Sequence, residues 1–384
     1  MTATIAPFTI EVSDAELDDL RLRLERVRWP REAPVTDWSR GVPLGYLKEL
    51  AGYWKAGFDW RKQEAWLNGF PQFTTEIDGQ TIHFLHVRSK EPDAMPLLLC
   101  HGWPGSFVEF ARLIGPLTDP VAYGGDAEDA FDVVVPSLPG FGFSVPLSGP
   151  GWEMSRTTKA YAEVMRRLGY RRYATHGSDI GSGVAAQLAS IAPDSVVGVH
   201  TAMDRGGIAY ASMFMPVPAD FTDAERARLD AIKTAGRDGG GYMQLQQTRP
   251  QTLAYGLAES PMGQLAWIAE KFAEWTNPAK PLPDLAVDRD QLLTNISLYW
   301  FTNTGGSSAQ FYWESAHGGT GWRTPSAAPK GMAVFNTDPL ARRLMDPGHQ
   351  ISHWSEFEAG GHFPAMEEPD LLVGDLRKFY RSLR

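Results

Sequence analysis

The chain has 384 residues, 43% hydrophobic and 21% charged, which is enough to bury more than one core and excludes disordered and fibrous classes. A net charge of −10, with no block of like charge, excludes the basic surface that a nucleic-acid partner needs. A single cysteine, Cys100, excludes an intrachain disulfide and a cysteine-ligated zinc cluster.

No apolar run reaches the roughly 18 residues that cross a bilayer, and the acidic N-terminal stretch, broken by Pro7, lacks the layout of a signal peptide. A cytoplasmic protein without a membrane partner is expected. Ser13, with Glu16 three residues on and Leu17, Leu20, Leu24 and Val27 at helical spacing, predicts a helix opened by a capping box and stopped by Pro30 and Pro34. Another short helix follows from Leu44, and residues 1–73 read as an N-terminal meander of helices and loops. From Thr74 the period changes to two, and Asp78–Gly79 joins two strands in a hairpin. Leu97–Cys100 and the run from Phe131 are continuous apolar stretches, as in strands buried on both faces of a parallel sheet. A strand, tight turn and helix follow from Arg171, and Val196–His200 is the next strand. Residues 74–202 therefore form the first part of an α/β core with right-handed crossovers. Residues 203–325 break the alternation with Gly, Pro, Met and aromatics among helical stretches, and read as an inserted helical lid. Residues 326–384 return to two strands and a last helix, the second part of the core.

The sharpest local signal is Gly177-Ser178-Asp179-Ile180-Gly181, a nucleophile elbow with Asp179 where esterases carry Ser. Small residues are needed because the turn is sharp and the backbone crowded. Asp179 is then a carboxylate nucleophile that forms an ester; the plainer alternative is an Asx turn at a helix start. His101–Gly105 follows a strand at the C-terminal edge of the sheet, where α/β proteins bind ligands. On its own it is only a tight turn; beside an elbow it supplies the Trp103 amide, which with that of Ile180 makes an oxyanion hole. Asp338 after one strand and His362 after the next complete the order nucleophile, acid, histidine. His362 is the expected base that activates water, and Asp338 the acid that sets its tautomer.

HGWPGS, GSDIGS, GYMQLQQTRP, LLTNISLYW and GGHFPAMEEPDLL, with Arg28–Pro30, the stretch Phe58–Asn68 and FPQFTTEIDG, resemble the epoxide hydrolases of the microsomal and juvenile-hormone type over nearly the whole chain. The resemblance implies an α/β-hydrolase fold with a mainly parallel, eight-stranded sheet, an inserted helical lid and an N-terminal meander. It implies conversion of an epoxide to a vicinal diol through an aspartyl ester, without cofactor or metal. Asp179 is by similarity the nucleophile, His362 the base and Asp338 the acid. Two lid tyrosines of the family hydrogen-bond the epoxide oxygen; Tyr242 matches the first and Tyr312 the second, with Tyr299 nearby as its rival. Trp103 and Phe363 are expected to contact the substrate. That small-molecule partner is a xenobiotic or a bulky polyketide- or enediyne-like epoxide, in detoxification or antibiotic biosynthesis; a homodimer is left open. A chain without the N-terminal anchor of the membrane-bound relatives is expected, so their localisation is not carried over.

A haloalkane dehalogenase places a halide-binding Trp after the nucleophile, where this chain has Ile180. An inactive binding protein on the same fold predicts a missing triad member or lid tyrosine, and none is missing. Cys100 reads as a core thiol, His349 and His353 as histidines without metal partners, and Trp267, Trp275 and Trp300 as helix packing. Asn295-Ile296-Ser297 fits a glycosylation sequon without a secretory signal.

Overall fold

The computed structural model describes residues 4–318 and 326–384. Its strands are β1 (Ile5–Phe8), β2 (Gln72–Ile77), β3 (Gln80–Val87), β4 (Met95–Cys100), β5 (Phe131–Pro136), β6 (Tyr173–Gly177), β7 (Val196–Asp204), β8 (Lys330–Phe335) and β9 (His353–Phe357). They form one nine-stranded sheet in the order β1-β2-β3-β5-β4-β6-β7-β8-β9. The pairs from β1 to β5 through β3 are antiparallel, and those from β5 to β9 are parallel. Alternation along each strand divides the core. Leu97, Leu99, Val133 and Val135 pack on one face, Leu98, Cys100 and Val134 on the other, so both faces are covered and the strands read as unbroken apolar runs.

The expected eight strands are nine. Ile5–Phe8, inside the segment read as helices and loops, pairs with β2 from Ile5↔Thr75 to Phe8↔Gln72. Four residues are too few for a period to show, and Pro7 is tolerated because the strand lies at the sheet edge. The rest of the N-terminal segment is helical, with Asp14–Glu25, Leu44–Ala56 and Trp60–Asn68. The capping box stands as the sequence predicts: the Glu16 amide donates to Ser13 Oγ at 3.3 Å, and the Ser13 amide to Glu16 Oε2 at 2.8 Å.

Between β7 and β8 run the helices from Arg205–Phe214 to Thr304–His317. The expected far boundary of this lid, at 325, lies outside the described residues. The N-terminal helices brace it: Trp54 Nε1 donates to Ser297 Oγ at 2.9 Å and Tyr53 Oη to Asp290 Oδ1 at 2.8 Å. Among the described residues no helix is long and apolar enough to cross a membrane.

The strand order sets β4 beside β6 with Cys100 opposite Gly177, which brings the His101–Gly105 loop against the elbow. A Cβ on Gly181 would land on the carbonyl oxygens of Cys100 and His101, main-chain atoms that no rotamer change can clear. Gly181→Ala should cost about 1–3 kcal/mol, as overpacking does, read as a lower urea midpoint. Gly52→Ala, on a helix with open space around that position, should instead gain up to about 1 kcal/mol from helix propensity. Equal midpoints for the two variants would refute the close approach.

Candidate active site

Strand β6 ends at Gly177, Ser178 stays extended with φ −120°, and Asp179 turns to φ +51° at the first residue of the helix Asp179–Ile191. A left-handed Asp costs of order 1 kcal/mol or more. The turn throws its carboxylate toward the β4 loop, where the Trp103 amide donates to Asp179 Oδ1 at 2.9 Å. The Ile180 amide, next in the chain, also favours the charged carboxylate. Gly102 has to lack a side chain because its Cβ would overlap the Asp179 carboxylate. Ser178, not Asp179, holds the N-cap position of the helix, which removes the plain capping alternative. The expected oxyanion-hole amides, Trp103 and Ile180, therefore sit together at the expected nucleophile.

His362 follows β9 and puts Nε2 3.5 Å from Asp179 Oδ2. Its other nitrogen, Nδ1, lies 3.3 Å from Oδ1 of Asp204, the last residue of β7. This corrects the expected pairing with Asp338. Asp338 is 1% exposed and is held by Arg228, whose Nη2 donates to Oδ2 at 2.8 Å and whose Nε donates to both oxygens, with no hydrogen bond to His362 among the described residues. The physical reason is the turn after β8. Asp204 pairs in register with Phe335, Asn336 turns left-handed at φ +44°, and Asp338 is carried on toward the lid helix Asp223–Arg237. The sequence signal for Asp204 was there, a carboxylate ending a strand on the nucleophile's edge. It was missed because the strand reads as ending at His200.

Tyr242 and Tyr312, each 9% exposed, stand edge-on with ring centroids 5.9 Å apart, and both feel the Asp179 charge. Tyr242 stacks on Trp103 with centroids 4.8 Å apart and planes 6° from parallel, and Tyr312 stands edge-on to both rings. The rival Tyr299 is turned away, donating to the Gly105 carbonyl at 2.8 Å. Phe363 stacks on Phe272 at 4.0 Å beside His362. Trp275, read from the sequence as helix packing, belongs to this cluster: its ring lies 4.9 Å from His362 and 5.2 Å from Tyr242, and its carbonyl accepts from the His362 amide at 2.8 Å. Its lone tryptophan signal could not be told from packing.

Burial opposes the Asp179 charge, but the His362 contact and the amides of Ile180 and Trp103 outweigh it and hold the carboxyl below its usual range. Burial would likewise discharge His362, yet Asp179 and Asp204 on either side hold it well above the ordinary histidine value. His362 thus sits between two carboxylates that favour its protonated form. For the tyrosines, burial and then neighbouring charge push the hydroxyls well above the ordinary range, so both are protonated.

For a metal, the described residues offer one group away from this centre: His200, His353 and Asp375, whose ligand atoms lie within 4.8 Å of one another. The expectation that His353 lacks such partners is therefore corrected. Here they hydrogen-bond, with both histidine Nε2 atoms on the Asp375 carboxylate at 2.9 and 2.8 Å.

Sequence reasoning also missed Glu109, 2% exposed, whose Oε1 accepts from Ser178 Oγ at 2.9 Å. Burial pushes its carboxyl up to about 7 from its ordinary 4.5, against the Ser178 hydrogen bond. With the folded value above the unfolded one, the stabilisation is complete below about pH 4.5 and is lost as pH rises through about 7. The difference is on the order of 3 kcal/mol. Glu109→Gln keeps an acceptor for Ser178 and removes the titration. It should flatten the fall in stability between about pH 4.5 and pH 7, followed by urea denaturation at each pH. An undiminished slope would refute the assignment.

The family model described as epoxide hydrolase N terminus matches residues 5–110, and that of the alpha/beta hydrolase fold matches residues 95–234. A protein of Stigmatella aurantiaca (strain DW4/3-1), provisionally named an epoxide hydrolase, is 45% identical over 386 residues, spanning 99% of this chain and 86% of its own. Epoxide hydrolase 1 of Sus scrofa is 36% identical over 98% of this chain and 88% of its own. The crystal structure of juvenile hormone epoxide hydrolase from the silkworm Bombyx mori superposes with a TM-score of 0.84 at 28% identity, covering 100% of this chain and 95% of that one. The fold and enzyme class expected from the motifs are borne out, and the likeness runs through the meander, elbow, lid and final histidine loop. The chain belongs to the epoxide hydrolase family of α/β-hydrolase-fold enzymes.

Proposed function

We propose that the chain opens its epoxide by attack of the Asp179 carboxylate on a ring carbon, and that water activated by His362 then hydrolyses the ester to the vicinal diol. The observation that carries this reading is an amide-held carboxylate beside two buried phenols, Tyr242 and Tyr312, in one aromatic site. An epoxide oxygen leaves its carbon as an alkoxide, so the phenols polarise it and one supplies a proton. Hydrolysis passes through an oxyanion that the Trp103 and Ile180 amides stabilise, one such donor being worth about 3 kcal/mol.

Protons balance over this cycle. Ring opening turns Asp179 into a neutral ester and one tyrosine into a tyrosinate. The imidazolium proton of His362 passes to that tyrosinate, and the neutral imidazole now faces one carboxylate instead of two. As water adds to the ester carbonyl, one of its protons ends on the departing diol and the other on His362. The carboxylate and the imidazolium are then restored. Halide displacement needs no such proton, which leaves the two phenols without a task and disfavours a dehalogenase. Apolar walls of Trp103, Trp275 and Phe363 suit a bulky hydrophobic epoxide, xenobiotic or biosynthetic.

A single turnover in heavy-oxygen water should yield unlabelled diol, because the new oxygen comes from Asp179; label in that first product would contradict the covalent route. His362→Gln should stop at the ester and show the protein plus substrate by intact mass. Tyr242→Phe and Tyr312→Phe should each slow the alkylation step by about 10²-fold and barely change ester hydrolysis. Unchanged alkylation in the double variant would remove the tyrosines from the chemistry.

A further inference from the structure

We propose that Asp204, at the end of β7, is the positioning residue that orients His362, and that Asp338 fastens the lid to the sheet edge instead. The inference deepens the covalent reading and rests on it. The two oxygens of Asp204 have separate tasks. Oδ2 accepts from the Gly206 amide at 2.9 Å, capping the helix Arg205–Phe214, and this fixes the carboxylate so that Oδ1 faces His362 Nδ1 at 3.3 Å. With 7% of the residue exposed, that charge is weakly screened.

Asp338 has no capacity left for His362. Its Oδ1 receives Arg228 Nε at 3.1 Å and the Leu340 amide at 3.0 Å. Its Oδ2 receives Arg228 Nε at 3.0 Å and Nη2 at 2.8 Å, with Arg205 Nε at 3.4 Å. A carboxylate offers about four lone-pair sites, and these contacts use them. Two guanidinium groups also offset its charge, so it adds little to the stabilisation of an imidazolium. Arg228 lies on the lid helix Asp223–Arg237, which makes the pair a bidentate tie between the lid and the loop after β8.

Asp204 acts on the ester-hydrolysis step. By accepting Nδ1–H it leaves the Nε2 lone pair of neutral His362 free for water. In Asp204→Asn the side-chain oxygen keeps the Gly206 contact and the amide turns an N–H toward Nδ1. The imidazole then shifts to the Nε2–H tautomer, which has no lone pair for water. A comparable tautomer error in a serine protease costs about 10⁴-fold.

The test is pre-steady-state turnover of styrene oxide by full-length Asp204→Asn, Asp338→Asn and His362→Gln, with intact-mass detection of the ester. Asp204→Asn should alkylate within about 10-fold of the parent yet hydrolyse the ester at least about 10³-fold more slowly, so that adduct accumulates. Asp204→Glu, which restores a carboxylate, should recover part of that loss. Asp338→Asn should hydrolyse its ester at the parent rate and show its effect in KM and thermal stability as the lid loosens. Ester accumulation in Asp338→Asn, alone or to the same degree as in Asp204→Asn, overturns the assignment, as does normal hydrolysis in Asp204→Asn. The two variants bear on it from opposite sides, so failure of one to fold leaves the other decisive. An adduct in His362→Gln with none in Asp204→Asn sinks only this inference; no adduct in His362→Gln sinks the covalent reading beneath it.

Discussion

The half-buried Asp179 carboxylate is held below its usual range because the amides of Trp103 and Ile180 and the ring of His362 lie against it. Without them a buried carboxylate pays a desolvation penalty of several kcal/mol and takes up a proton instead. Each partner arrives on a different segment: the loop after β4, the start of the elbow helix, and the loop after β9. They meet because these segments leave the sheet at the carboxyl ends of parallel strands. The left-handed Asp179 and the close approach at Gly102 and Gly181 follow from the same demand.

The charge pattern is also asymmetric in a useful way. His362 stands between Asp204 and Asp179, so its proton is held by two negative groups, one of which the proposed chemistry removes. On the proposed chemistry, this histidine can act as a base only after Asp179 has been esterified.

The lid is coupled to this centre through Trp103 and Trp275. Trp103 gives its amide to Asp179 and its ring to Tyr242, while the Trp275 carbonyl accepts from the His362 amide and its ring packs on the same tyrosine. The N-terminal helices hold the lid from outside, through Trp54 on Ser297 and Tyr53 on Asp290. The meander thus helps to fix where the two tyrosines stand.

Much of this protein is written in local sequence. The continuous apolar runs at Leu97–Cys100 and from Phe131 announce buried parallel strands, and Ser13 with Glu16 announces a helix start, because pleat, helix period and caps are short-range physics. The elbow at Asp179, the loop at Trp103 and the last loop at His362 were legible for the same reason: each is a turn whose residue types are dictated within a few positions. Strand β1 was not legible, since four residues with Pro7 become a strand only when β2 offers its edge. Nor was Trp275, whose sequence neighbours are those of any packed helix. The choice between Asp338 and Asp204 was decided by tertiary structure alone. Both carboxylates end or follow a core strand, and order along the chain favours the first. Which of them reaches His362 depends on a left-handed turn at Asn336 and on an arginine more than a hundred residues away in sequence, Arg228, that occupies Asp338. Competition for a carboxylate's lone pairs is settled in three dimensions, and no local pattern encodes it.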